Sequence, residues 1–443
     1  MRMDWKLLLN KTRLGREKDT VSEDIRSEYM RDWDRIVYSS AFRRLQDKTQ
    51  VFPLAESDYV RTRLTHSIEV SSVGRSLGTL VGGFVAGQEG LDVSPQDFGN
   101  IVSTACLAHD IGNPPFGHSG EEAIRTWFRG SGEKYLDALS AHEREDFLNF
   151  EGNAQGFRIL ARLQNAVDRG GFQLTYAVLA AYMKYPRGSY PEAFEKKVVS
   201  EKKFGYYLHD KSSFVAIADG VGLIKKREGA YARHPLAFLM EAADDICYRV
   251  IDLEDGHRLG RVSFQETENL LKPIAISSGE DIARSSYAFI EDERGKVEYL
   301  RARAINNVII SVVEVFKSRY ENIMAGRQEE DLTSLCEYAD RLEDIKVVSK
   351  KHVYSAPNVL HVEAAGFEVL GGLLDKVVPA LLLDEDTSTS ADKKIVTIVP
   401  PQFTRGATPY EKMLAATDFV SGMTDSFAVT LFRRLRGIEL PSG

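Results

Sequence analysis

Ala105-Cys106-Leu107-Ala108-His109-Asp110-Ile111-Gly112-Asn113-Pro114-Pro115-Phe116-Gly117-His118-Ser119-Gly120-Glu121-Glu122 decides how the rest of this 443-residue chain is read. An apolar run at helical spacing reaches His109-Asp110 and stops. Gly112 suits a helix C-cap, and Pro114-Pro115 forbids continuation. A second helix is expected to start at Ser119, because Glu122 stands three residues on, the spacing of a capping box. The turn between them carries His118. A His-Asp pair at a helix C-terminus faces the negative pole of the macrodipole, where a cation is favoured. The start of the following helix offers free amides, where a phosphate is favoured. The stretch therefore predicts a metal beside an anion.

The flanking segments supply further donors. Across residues 61–85, Val70, Val73, Leu77, Leu80, Val81 and Phe84 recur at helical spacing. His66 lies on that stripe, and Arg63 is about one turn back. A single His on an apolar face is usually a satisfied core residue, so His66 counts only in company. Residues 97–111 repeat the pattern through Phe98, Ile101, Val102 and Ala105, which puts His109 on the apolar face and Asp110 on its flank. A buried carboxylate is costly without a partner, so the pair is either an ion-paired helix end or a metal-binding pair, and the second is favoured.

Residues 235–254 form the third informative helix, with Leu236, Leu239, Met240, Ala243, Ile246, Cys247 and Val250 on its apolar face. Asp244 sits at the margin of that face. Asp245 points nearly opposite, where solvent alone can satisfy it. Asp244, Tyr248 and Asp252 are spaced i, i+4, i+8 and form one ridge. Glu121 either orients and charges His118 or merely complements a helix dipole.

The remainder reads as mostly α. Helices are expected from about Glu23 to Leu45, over much of 123–170, at 172–185, and near 265–272, 279–290, 297–325, 329–345, 363–383 and 408–435. Residues 186–230 are irregular. Brief strand signals occur at Ile395–Val399 and Lys346–Val353, and Asp384–Lys394 reads as an exposed loop. The expected divisions are an N-terminal helical segment that contributes to the site (1–60), a helical core (61–260) and a C-terminal helical region packed on it (261–443).

Composition narrows the function. A net charge of −8 argues against general nucleic-acid binding, which needs clustered Lys and Arg. A polyphosphate ligand would need local basic groups to overcome that field. Three scattered cysteines are too few for a disulfide framework or a thiolate zinc site. The apolar core Leu7-Leu8-Leu9 is short of a signal peptide, and no run approaches the ~20 apolar residues of a membrane helix. A soluble cytoplasmic protein without membrane partners is expected.

His66, His109, Asp110 and Asp244 together give two imidazoles and two carboxylates with no thiolate. That set suits Mn, Mg, Fe, Co or Ni better than a closed structural zinc. The pattern His…His-Asp…Asp resembles the HD phosphohydrolase superfamily. The stretch from His109 to Glu121 further resembles the signature of bacterial deoxyguanosine triphosphate triphosphohydrolases. So do Phe42-Arg43-Arg44-Leu45 with Lys48-Thr49-Gln50-Val51-Phe52-Pro53, Arg63-Leu64-Thr65-His66-Ser67, Phe150-Glu151-Gly152-Asn153-Ala154-Gln155 and Glu241-Ala242-Ala243-Asp244-Asp245-Ile246-Cys247-Tyr248.

The resemblance implies an all-α HD core with additional C-terminal helices. It implies that His66, His109, Asp110 and Asp244 bind one divalent metal, and that His118 with Glu121 is the acid/base pair. Gln50 and Asp252 would bind the sugar 3′-hydroxyl, with Tyr248 where a 2′-hydroxyl would protrude. Arg63, Lys184, Tyr185 and Lys203 would hold the triphosphate, and Arg301 would touch the phosphates or the base. Hydrolysis of a dNTP, dGTP foremost, to deoxynucleoside and tripolyphosphate follows, in a homo-oligomer of six or four chains. The resemblance leaves room for an activating second nucleotide or single-stranded DNA. Alternatives are an HD phosphohydrolase acting on nucleoside monophosphates or a signalling nucleotide, and a nucleotide-sensing or single-stranded-DNA-binding protein.

Overall fold

The computed structural model describes residues 2–18, 25–50, 61–164, 170–190, 192, 199–276, 286–354, 357–384 and 386–439. Val51, Phe52, Pro53 and the expected helix start at 279 lie outside them. The regular structure of the described chain is almost all helical, as apolar spacing predicts. Its one sheet pairs two short antiparallel strands, Lys225–Arg227 and Ala230–Tyr231, at the end of the segment 186–230 expected to be irregular, which also holds helix Lys211–Gly220.

The centre of the fold is a pair of consecutive helices, Arg63–Glu89 and Pro95–Ala108. The first begins with a capping box between Thr62 and Thr65 and ends at Gly90, whose φ of 62° gives the left-handed cap. The second has Ser94 as N-cap and proline in its first turn. The two pack backbone to backbone: a Cβ at Gly78 would lie 2.7 Å from the Phe98 carbonyl oxygen and 2.9 Å from the Gly99 Cα. Helix Ala237–Arg258 packs across both. Around these three a first core gathers Leu77, Val81, Phe98, Ile101, Leu239, Ile246, Val250, Leu300 and Val308, all fully buried.

A second core is built by helix Gly117–Arg129 and the C-terminal helices Pro357–Leu382 and Pro409–Ser421. Ile124, Phe128, Phe147, Leu370, Leu374, Met413 and Val420 fill it. The Trp127 indole N–H donates to Asp375 at 2.7 Å, tying the first of these helices to the second. Among the described residues, no helix is long and apolar enough to cross a membrane.

Several local expectations are corrected. The helix after the turn starts at Gly117, not Ser119. Its N-cap is Phe116 in the left-handed region (φ 63°), with no side-chain cap. Glu122 pairs with Arg125 instead of closing a capping box. Gly112 is no αL cap, because the preceding helix ends at Ala108 with His109 as C-cap. What requires glycine there is close approach, since a Cβ would fall 2.1 Å from the Gly152 carbonyl oxygen. Neither strand signal is a strand. Residues 346–353 belong to helix Ala339–Ser349 and the π-helical turn Lys350–Tyr354. Ile345, Ser349 and Val353, four apart, supply their buried face, so tertiary packing overrides the β-branched composition. Ser390–Ile398 is a helix with a Thr389–Asp392 capping box, which also makes helix of the second half of the expected loop.

Candidate active site

The two central helices and helix Ala237–Arg258 bring His66, His109 and Asp244 together. One ligand-type atom from each lies within 4.8 Å of the others. The His66 Nε2 is 3.2 Å and the His109 Nε2 3.5 Å from the Asp244 Oδ1. The His109 Nδ1 faces the Cys106 carbonyl oxygen at 2.6 Å, which fixes a proton there, so that Nε2 is the nitrogen that offers a lone pair to the cluster when the ring is neutral. The electrostatics welcome a cation. Burial works against charge on His109, yet Asp110 and Asp244 push its pKa up to about 9. Burial also opposes charge on Asp244, yet His109 and His66 hold its carboxyl well below the usual range. Imidazole nitrogens and carboxylate oxygens without thiolate fit a divalent metal.

Asp110 stands at the edge of this group, its Oδ1 3.5 Å from the His109 Nε2. Both its oxygens are engaged: Arg63 donates to Oδ2 at 2.7 Å and Asn113 donates to Oδ1 at 2.5 Å. Gly117 makes room for Arg63. Its φ is 60°, and a Cβ there would lie 2.6 Å from a terminal nitrogen of the guanidinium.

A cavity of about 690 Å³ opens over the cluster. His109, Asp110 and Asp244 line it, with Gln50, Arg63, His118, Lys184, Tyr185, Lys203 and Tyr248. The Gln50 Oε1 is buried and has no hydrogen-bond donor among the described residues. The His118 side chain is 80% exposed, and its Nδ1 is 3.3 Å from the Glu121 Oε2. Glu121, by contrast, is buried. Its other oxygen accepts from the Gly152 N–H at 2.8 Å. Burial opposes its charge, but His118, Lys203 and Arg125 hold the carboxyl below its ordinary range. Lys203 donates to Glu151 at 2.9 Å, and Lys184 lies 3.5 Å from Glu241.

Three expected residues sit differently. Asp245 does not rely on solvent alone: it lines the cavity and accepts from the Thr333 hydroxyl at 2.7 Å. Asp252 is buried behind the wall and accepts from the Tyr354 hydroxyl at 2.6 Å. Tyr354 stacks on Tyr248 with ring centroids 5.4 Å apart, and both rings line the cavity. Arg301 is not at the lining. It donates to both oxygens of Glu254, at 3.0 and 2.7 Å. That carboxylate, also bonded by Arg61 and Arg258, holds it at the far end of helix Ala237–Arg258.

Sequence reasoning missed Lys202, Lys346, Lys350, Tyr354 and Glu363, which complete the lining. Lys346, Lys350 and Tyr354 are spaced i, i+4, i+8, the same ridge logic that singled out Asp244, Tyr248 and Asp252. Reading this segment as a strand hid it.

Fold and site define an HD-domain protein, and residues 63–165 match the HD domain family. Over 99% of its length the chain is 42% identical to a deoxyguanosinetriphosphate triphosphohydrolase-like protein of Synechocystis sp., matching all of that relative. It is 39% identical to one of Pseudomonas aeruginosa and 36% identical to one of Listeria monocytogenes, at the same coverage. The chain belongs to the deoxyguanosinetriphosphate triphosphohydrolase-like family of HD-domain proteins.

Proposed function

We propose that the protein is a metal-dependent dNTP triphosphohydrolase, with dGTP its foremost substrate, that releases deoxynucleoside and intact tripolyphosphate. One observation carries this reading. In a chain of net charge −8, a single cavity gathers Arg63, Lys184, Lys202, Lys203, Lys346 and Lys350 around the His109, Asp110 and Asp244 donors. Cations concentrated against the overall field suit a polyphosphate.

His66, His109, Asp244 and the adjacent Asp110 would hold a divalent metal, which would supply Lewis acidity toward a phosphoryl oxygen and toward water. The lysines and Arg63 neutralise the triphosphate and its growing charge as it departs. Water bonds to the α-phosphorus and its proton passes to solvent, the bond to the nucleoside 5′-oxygen breaks, and His118 delivers the proton that this oxygen needs and takes one back from solvent. Glu121 holds the His118 Nδ1, which leaves the other ring nitrogen for the proton transfer. The unfilled Gln50 Oε1 accepts from the sugar 3′-hydroxyl. Tyr248, stacked on Tyr354, packs where a 2′-hydroxyl would have to go. Asp252 contributes through its bond to Tyr354.

The test is product analysis of purified protein with Mn and each dNTP, singly and mixed. Tripolyphosphate and deoxynucleoside are expected. Orthophosphate or a nucleoside monophosphate as first product would overturn the reading, and hydrolysis of GTP as fast as dGTP would overturn the sugar assignment.

A further inference from the structure

Arg44 borders a second cavity, of about 270 Å³, that shares no lining residue with the first. The N-terminal turn at Ser40 and Arg44, the π-helical turn Ile159–Leu163, the short turn Pro401–Phe403 and the end of helix Pro409–Ser421 enclose it. Among the described residues, Arg44 has no hydrogen-bond or ion-pair partner, and burial pushes its pKa down. The one carboxylate at the cavity, Asp418, is already satisfied. Arg158 donates to it from Nε at 2.9 and 3.0 Å and from a terminal nitrogen at 2.9 Å, and Gln155 donates at 2.8 Å. Nearby Lys48 donates to the carbonyls of Asn113 and Ser421 and, among the described residues, to no carboxylate. Burial, reinforced by Arg44, pushes Lys48 down to about 7.

The half-buried Arg44 guanidinium lines the cavity with no counter-ion among the described residues. Its fork of N–H donors matches the geometry of an oxyanion. Neutral donors stand beside it: the Ser40 hydroxyl, which already receives the Gln164 amide at 3.4 Å, and the Gln402 amide. Ile159, Leu163 and Phe403 supply the apolar part of the lining. Water occupies about 30 Å³ per molecule, so the volume holds a phosphate group and leaves room for an organic portion. We propose that the Arg44 cavity is a phosphate-binding site, taking free phosphate or the phosphate of a small monoester.

Equilibrium dialysis of the full chain against radiolabelled inorganic phosphate, and separately against dGMP, tests this. The wild type should bind one equivalent more than Arg44→Gln, whatever the first cavity also binds. Arg44→Lys should recover that equivalent at weaker affinity, since an ammonium keeps the charge but loses the fork. Ser40→Asp, which supplies the missing counter-ion from the protein, should lose the same equivalent and serves if Arg44→Gln does not fold. Tighter binding of dGMP assigns the apolar part of the lining to the organic portion; equal binding assigns the site to free phosphate. Equal stoichiometry in wild type, Arg44→Gln and Ser40→Asp would overturn the proposal. The readout is binding, so it stands or falls independently of any hydrolysis.

Discussion

The two walls of the main cavity are built on different physics. One belongs to the first core and carries His66, His109 and Asp244 on three mutually packed helices. There the donors are pinned by burial, by a glycine seam and by short hydrogen bonds before any ligand arrives. The other wall belongs to the second core and presents His118, which is 80% exposed and held at one ring nitrogen by a buried carboxylate. Packing preorganises His66, His109 and Asp244, whereas His118, the proposed acid/base group, keeps an exposed ring on a fixed pivot. A proton-transfer group needs access to substrate, and a ligand set needs rigidity.

The largest expected effect breaks the first wall. Asp244→Ala should abolish both metal binding and hydrolysis, while Asp245→Ala should retain metal. Elemental analysis of the two purified variants decides this, and the opposite pattern would transfer the ligand role to Asp245. His118→Ala probes the second wall. It should lower kcat by roughly 10²–10⁴ with metal content unchanged. Normal turnover would reduce His118 to a turn residue.

Between the walls, Tyr248→Ala should narrow the dGTP-to-GTP ratio of kcat/KM by roughly tenfold or more, because the stacked tyrosine pair would no longer fill the space beside the sugar. Tyr354→Phe removes the hydroxyl that bonds Asp252 and meets the Tyr248 hydroxyl but keeps the stacked ring, and should spare that ratio more than Tyr248→Ala does. Equal effects of the two would mean that the hydroxyl, not the ring, governs sugar choice.

The smallest effect lies deep in the second core. Asp146 accepts from Ser189, Tyr410 and the Leu208 N–H, yet burial pushes its pKa up to about 7 from an ordinary 3.8. The folded protein therefore holds this proton where the unfolded chain has lost it. The contribution is complete below pH 4 and is lost as pH rises through about 7. The stability of wild type relative to Asp146→Asn, read from denaturation midpoints, should fall between about pH 4 and 7 and then level off. A difference that is flat across that range would show Asp146 to be ionised throughout.

The all-α class was legible in the chain alone, and so were the three residues that the fold gathers into one cluster. His66, His109 and Asp244 each share a helix with a strong apolar stripe, and a 3.6-residue period places a side chain on a face without knowing its neighbours. The same period distinguished Asp244 from Asp245. It could not say that Asp245 would meet Thr333, since that contact joins residues 88 apart. Only the tertiary structure decided where the helix after Pro115 begins, because the left-handed Phe116–Gly117 turn is set by contacts with Arg63 and Asp425 rather than by a local cap. It also decided that Lys346, Lys350 and Tyr354 complete the cavity and that Arg301 does not, being drawn to Glu254 47 residues earlier in the chain. Local periodicity fixes which way a residue faces on its own helix. Which charge or ring it meets there depends on chain segments brought together by burying two separate cores, and that pairing has no local signature.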